Sequence, residues 1–227
     1  MQELEISVIE NRIGYVFQNK SLLEQVFKHQ SVYNSVEQNN QRLEFLGDSL
    51  LSYIVSEYAF YKYPSFSEDT LSLYKTLMIN YYTLYLVCFE LGLQEYLIFN
   101  YESLGRNTAS IKTYADVVEA LIGAIYVDSG SIDNVKNFFY HVILKVFNKY
   151  MDQIVENMFD WKGFLQSFLQ KKNLPMPEYR VIDKNEEGFF VVIFFEGFEI
   201  SSGYGKTKKE AEKQAALKLI KKIISEY

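Results

Sequence analysis

Near residue 158 the hydrophobic period of this 227-residue chain changes. Upstream of that point apolar residues recur at helical spacing and no strand pattern occurs. Downstream, a helical stretch over 160–172 is followed by Pro175 and Pro177, then by three short β-rich runs from Tyr179 to Ile182, Phe189 to Phe195 and Glu199 to Ser202. A single layer scheme cannot bury both patterns, so the expected class is α+β in two domains. The boundaries implied are an all-helical domain over 1–153 and a small α-β-β-β-α domain over 159–227. The length suits one medium and one small domain.

Within the first block, residues 3–28 predict two helical segments around Gly14 and Tyr15, the second opening on a capping box of Ser21 and Glu24. The polar residues 31–40 predict a loop. A long helix is expected from Gln41 to Lys62, stopped by Pro64. One or two helices should span 68–90, with Gly92 near the stop. Gly105-Arg106-Asn107 suggests a connection. Further helices are expected over 111–128, ended by Asp128-Ser129-Gly130, and over 131–157. In the second block Thr207 and Glu210 form another capping box, opening a final helix.

Cys88 is the only cysteine, so no intrachain disulfide can form, and its apolar surroundings predict a buried, inert thiol. The opening MQELEISVIENR is acidic and broken by charges, unlike a secretory leader. No apolar run reaches the roughly 20 residues that span a bilayer. The expected setting is a reducing, cytoplasmic one without membrane contact. Aromatics make up 17% of the chain. Genome composition can produce that usage, so it implies no function.

The net charge of −6 would argue against a nucleic-acid partner, but its distribution reverses the argument. Residues 1–155 hold 11 Lys and Arg against 18 Asp and Glu, whereas 156–227 hold 12 against 11. Seven lysines and two glutamates lie within 206–222. An acidic front and a locally basic tail imply separate tasks.

Two apolar helical segments carry carboxylates. In Arg42-Leu43-Glu44-Phe45-Leu46-Gly47-Asp48, Glu44 and Asp48 stand four apart on one face. In Ala115-Asp116-Val117-Val118-Glu119, Asp116 and Glu119 stand three apart on one face. Burying carboxylates without cations is unfavourable. Four of them converging would form a hard oxygen site for a divalent ion. Spacing alone leaves a solvated acidic face and a metal site both open.

The stretch Asn40-Gln41-Arg42-Leu43-Glu44-Phe45-Leu46-Gly47-Asp48-Ser49-Leu50-Leu51 closely resembles the signature of the ribonuclease III family, and Tyr114 to Asp128 resembles that family's second acidic motif. Upstream, Gly14-Tyr15-Val16-Phe17 and Ser21-Leu22-Leu23 through His29-Gln30-Ser31 resemble its N-terminal segment. The resemblance implies a homodimeric endonuclease for double-stranded RNA. Mg²⁺, with Mn²⁺ as a possible substitute, would be held by Glu44, Asp48, Asp116 and Glu119. Asp48 and Glu119 would be the catalytic pair most sensitive to substitution. A metal-activated water would leave 5′-phosphate and 3′-hydroxyl ends, in the processing of ribosomal precursors, messenger RNA or small RNAs. Glu68 matches an accessory family carboxylate. Phe45 resembles an aromatic that packs into the partner subunit, and an ordinary core Phe is the other reading. Two departures stand out: Gln41 occupies a position where the family usually has Glu, and Gln30 replaces a usual basic residue. His29 and His141 lack metal-ligand spacing and predict structural or surface roles.

Gly203 to Ala216 resembles the last helix of the double-stranded-RNA-binding domain. Physically, a helix N-terminus offers free N–H groups and partial positive charge to phosphate. Lys206, Thr207, Lys208, Lys209 and Lys213 lie on or beside its first turns, and such contacts position a protein without reading sequence. Ala211, Ala215 and Ala216 permit close packing on a sheet. In the domain's first helix, Gln166 could reach a minor-groove 2′-hydroxyl. The short loop Asp183 to Gly188 lacks the His common in the family, which suggests modest RNA affinity. Two alternatives remain at this level. One is a protein of the same fold that sequesters duplex RNA, and the other is a helical scaffold with a fortuitous acidic core.

Overall fold

The computed structural model describes residues 3–100, 109–157, 163, 165, 166, 169, 170 and 173–225. The expected connection at Gly105-Arg106-Asn107 lies outside these, as does much of the stretch 160–172. Residues 163, 165, 166, 169 and 170 of that stretch are helical.

The chain divides into two compact units, Met1–Pro64 with Leu71–Ile154, and Ser65–Thr70 with Val155–Tyr227. The helical part comprises α1 (Glu3–Ile13), α2 (Lys20–Val26), α3 (Gln41–Lys62), α4 (Glu68–Ile79), α5 (Tyr81–Glu90), a 3₁₀ turn at Leu93–Tyr96, α6 (Ile111–Ser129), α7 (Ile132–Phe138) and α8 (Leu144–Asn157). Helix α3 has the expected bounds, and residues 31–40 form the expected loop. The expected Ser21 cap is incorrect. Asn19 caps α2 instead, its Oδ1 accepting from the Ser21 backbone and hydroxyl, because Lys20 already belongs to the helix. The single helix expected over 131–157 is broken. A π turn at Phe139–Ile143 separates α7 from α8, and Tyr150 leaves helical geometry inside α8.

Helix α6 is the centre of the helical unit, packing against α2, α3, α5 and α7. Residues from Val117 to Ile125 are buried all round except Glu119, as a helix enclosed by others requires. Gly130, at φ +62°, ends it in a left-handed conformation and donates its N–H to the Tyr126 carbonyl. Part of the aromatic content is used in a cluster where Tyr58 meets Tyr63, Phe139 and Tyr140, and Tyr74 meets Tyr63 and Phe147. Cys88 is buried as expected, and burial pushes its thiol up to about 12.

The second unit contains an antiparallel meander in the order β1-β2-β3, with β1 (Glu178–Asn185), β2 (Gly188–Phe195) and β3 (Phe198–Gly205), followed by α9 (Lys208–Ser225). All three strands are longer than the β-rich runs predicted, because cross-strand pairing extends through polar ends that periodicity does not mark. Helix α9 lies on β2 and β3 through buried Ala211, Ala215, Ala216 and Leu217. The alanines meet glycines: a Cβ on Gly203 would strike the Ala215 backbone. Ser201 completes the seam by donating its hydroxyl to the Ala215 carbonyl at 2.7 Å. The architecture is therefore α+β, a helical block followed by a three-stranded sheet and a terminal helix. No described helix is long and apolar enough to cross a membrane.

Candidate active site and nucleic-acid interface

The acidic site begins with two glycines. Helices α3 and α6 cross where Gly47 lies on the Glu119 carbonyl and Gly123 lies on the Leu43 carbonyl, and neither position has room for a Cβ. With no side chains between them, the backbones approach directly. Glu44 on α3 and Asp116 and Glu119 on α6 are thereby brought to one place, and Asp48 directly follows Gly47 in the chain.

Carboxylate oxygens of Glu44, Asp116 and Glu119 lie within 4.8 Å of one another. Asp48 is outside that set, although its charge acts on both Glu44 and Glu119. Burial, reinforced by Asp116, Asp48 and Glu44, pushes the Glu119 carboxyl up to about 8. Burial first, then Asp116, also raises Glu44. Burial raises Asp116 against the opposing pull of Lys112. This is the electrostatic signature of a carboxylate cluster with too little positive charge.

Among the described residues, one lysine faces the cluster. Lys112, one turn before Asp116, places Nζ 2.8 Å from Asp116 Oδ1 and 3.7 Å from Glu44 Oε1. Sequence reasoning missed it, although its i,i+4 spacing to Asp116 was available as a signal. His29 is buried, with Nδ1 2.8 Å from the Ser31 hydroxyl and its ring 4.9 Å from that of Phe99, a structural placement. Burial lowers its pKa, against the field of Asp116. Gln41 Nε2 donates to Gln30 Oε1 at 2.9 Å, so the two departures from the family pattern touch each other.

Phe45 is 77% exposed, which rules out the ordinary core reading. Exposed Tyr53 and Phe60 share its face of α3. Glu68 lies in the first turn of α4.

In the second unit Thr207 caps α9. Its hydroxyl accepts from the Glu210 N–H at 3.2 Å, while Glu210 Oε2 accepts from the Lys206 N–H at 2.9 Å. Lys206, Thr207, Lys208 and Lys209 are exposed around that helix start, and Lys213 is half-buried. Gln166 is helical and half-buried, and Ser167 beside it lies outside the described residues. The β1–β2 connection is a two-residue turn, Glu186-Glu187, held by Asn185 Oδ1 accepting from the N–H groups of Glu187 and Gly188.

Residues 19–147 match the model of a family described as ribonuclease-III-like, and 161–223 match the double-stranded RNA binding motif. Ribonuclease 3 of Acinetobacter baylyi is 36% identical over 222 residues, covering 94% of this chain and 93% of its own. Ribonuclease 3 of Clostridium acetobutylicum is 35% identical over 229 residues, covering 97% of each. The nuclease domain of ribonuclease III from Campylobacter jejuni superposes with a TM-score of 0.57 at 30% identity, covering 63% of this chain and 99% of that one. A nuclease block, an RNA-binding block and relatives matched nearly end to end lead to one conclusion: the chain belongs to the ribonuclease III family, as an endoribonuclease with a C-terminal double-stranded-RNA-binding domain.

Proposed function

We propose that this chain hydrolyses double-stranded RNA with Mg²⁺ held by Glu44, Asp48, Asp116 and Glu119, Mn²⁺ being a workable substitute. The observation that carries the reading is the approach of three of these carboxylates within 4.8 Å. The donor set fits the ion: all ligands are hard oxygens, the cluster is short of positive charge, and an ammonium already bridges α3 and α6 there. Bound in that place, the ion would supply a water of lowered pKa and neutralise charge on the transferring phosphoryl group.

The chain's own residues hold and orient. Glu119 on α6 and Asp48 on α3 are the catalytic pair, and Glu68 is an accessory acid. The products are 5′-phosphate and 3′-hydroxyl ends. The substrate class is duplex segments of ribosomal precursors, messenger RNA or small RNAs, met in the cytoplasm. The nuclease domain occupies 1–153 and the RNA-binding domain 159–227. In the latter, Lys206, Thr207, Lys208, Lys209 and Lys213 grip phosphates and Gln166 reaches the minor groove. Two copies pair through α3, with Phe45 entering the partner. Its bare ring and the aromatic face it shares with Tyr53 and Phe60 support this.

A labelled RNA duplex incubated with the protein should be cut only when Mg²⁺ or Mn²⁺ is added, while single strands stay whole. Glu119→Gln should lower the rate by at least about a hundredfold, the scale on which removing a charge-stabilising group acts. Duplex binding without cutting in either ion would instead favour a sequestering role.

A further inference from the structure

We propose that the Lys112 ammonium is a built-in counter-ion for the acidic cluster, which a divalent ion must displace, so that Lys112 sets how tightly the metal is held. The inference rests on the metal reading above and extends it to a residue which that reading does not use.

The geometry supplies the argument. Lys112 and Asp116 stand one turn apart on α6, while Glu44 belongs to α3. Nζ reaches both, at 2.8 Å and 3.7 Å. It therefore bridges the same two helices that a metal would bridge, through two of the same carboxylates. Two of the three oxygens that approach within 4.8 Å belong to residues Lys112 already contacts. A lysine and a divalent ion sharing those oxygens would stand a few ångströms apart, where like charges repel. The lysine can yield. Its side chain is 69% exposed, so the stem is not pinned by packing, and an ammonium on four flexible carbons is readily rehydrated. Displacement takes one positive charge from the cluster as two arrive. Without Lys112 the same cluster would meet the ion with its full negative charge.

The test is Mn²⁺ binding to the full chain, without RNA, read from the loss of the free-ion paramagnetic resonance signal. Lys112→Ala should bind Mn²⁺ about three- to tenfold more tightly than the unaltered chain, as expected for removing one nearby positive charge. Lys112→Arg, which keeps the charge, should bind like the unaltered chain. In chelator, Lys112→Ala should melt lower, because the cluster has lost its counter-ion, and saturating Mg²⁺ should close that gap. Equal or weaker Mn²⁺ binding by Lys112→Ala overturns the proposal. So does a melting deficit that persists unchanged in Mg²⁺, which would make Lys112 a structural tie only. If no form binds Mn²⁺, the metal reading itself falls, and the counter-ion role with it.

Discussion

Glu119 is where burial, charge and chemistry meet. An acid whose folded pKa lies above its unfolded value stabilises the fold at low pH, and that contribution is lost as pH rises through the folded value. Glu119 moves from the ordinary 4.5 to about 8, and Glu44 and Asp116 shift in the same sense. The metal-free protein should therefore lose melting temperature between about pH 5 and pH 8. Mg²⁺ should restore most at the upper end, where Glu119 is ready to ionise. Glu119→Gln should flatten the slope in chelator, and an unchanged slope would show that Glu119 does not titrate in this window. A neighbouring pair tests coupling. Gln41 and Gln30 form an amide pair where the family pattern would place opposite charges. Gln41→Glu with Gln30→Arg should show a favourable coupling of about 0.5 kcal/mol in a urea double-mutant cycle, and none would mean the contact is incidental. Both departures were visible in the sequence, but their contact was not, because the ten intervening residues form an irregular loop.

Among the elements, α3 and α6 have no packing side chain where they cross. Gly47→Ala must push Glu119's carbonyl aside. The expected cost is about 1–3 kcal/mol of stability, together with loss of cleavage as the carboxylates separate. Melting curves and the duplex assay read the two effects, and a variant that retains full activity would refute the link between crossing and site. Helix α3 was legible to the residue, because Pro64 and the polar loop before Gln41 mark both ends. The break between α7 and α8 was not. Phe139 and Tyr140 fit a continuous helical pattern, so nothing in the spacing marks the π turn that begins there. The carboxylate pairs could be read as two helical faces, but that they approach each other depends on the glycines. Lys112 escaped notice for a related reason: its partner Glu44 is 68 positions away.

For the whole molecule, the two units carry opposite electrostatic tasks. The nuclease unit carries the carboxylate cluster, while the second unit presents lysines at the start of α9. That basic surface is tempered by its own acids. Glu210 occupies the Lys206 N–H, and Glu186-Glu187 forms the hairpin turn between β1 and β2. Replacing both turn glutamates by lysine should tighten duplex binding at moderate salt. It should also steepen the dependence of log K on log salt by roughly one to two, measured by anisotropy across a salt series. An unchanged slope would place the turn away from the RNA. The α+β class and the order of the two blocks were apparent from the loss of helical spacing near residue 158, where short β-branched and aromatic runs bounded by Pro and Gly take over. Both units are fastened alike, with glycine against helix backbone at Gly47, Gly123 and Gly203. At such a contact no partner can shrink to admit a larger neighbour, so substitutions there have no second-site remedy. The polar groups around the carboxylates are under no such restriction, and the amide pair at Gln30 and Gln41 illustrates it. In this chain the frame permits almost no drift, while the groups that tune its chemistry can be exchanged one by one.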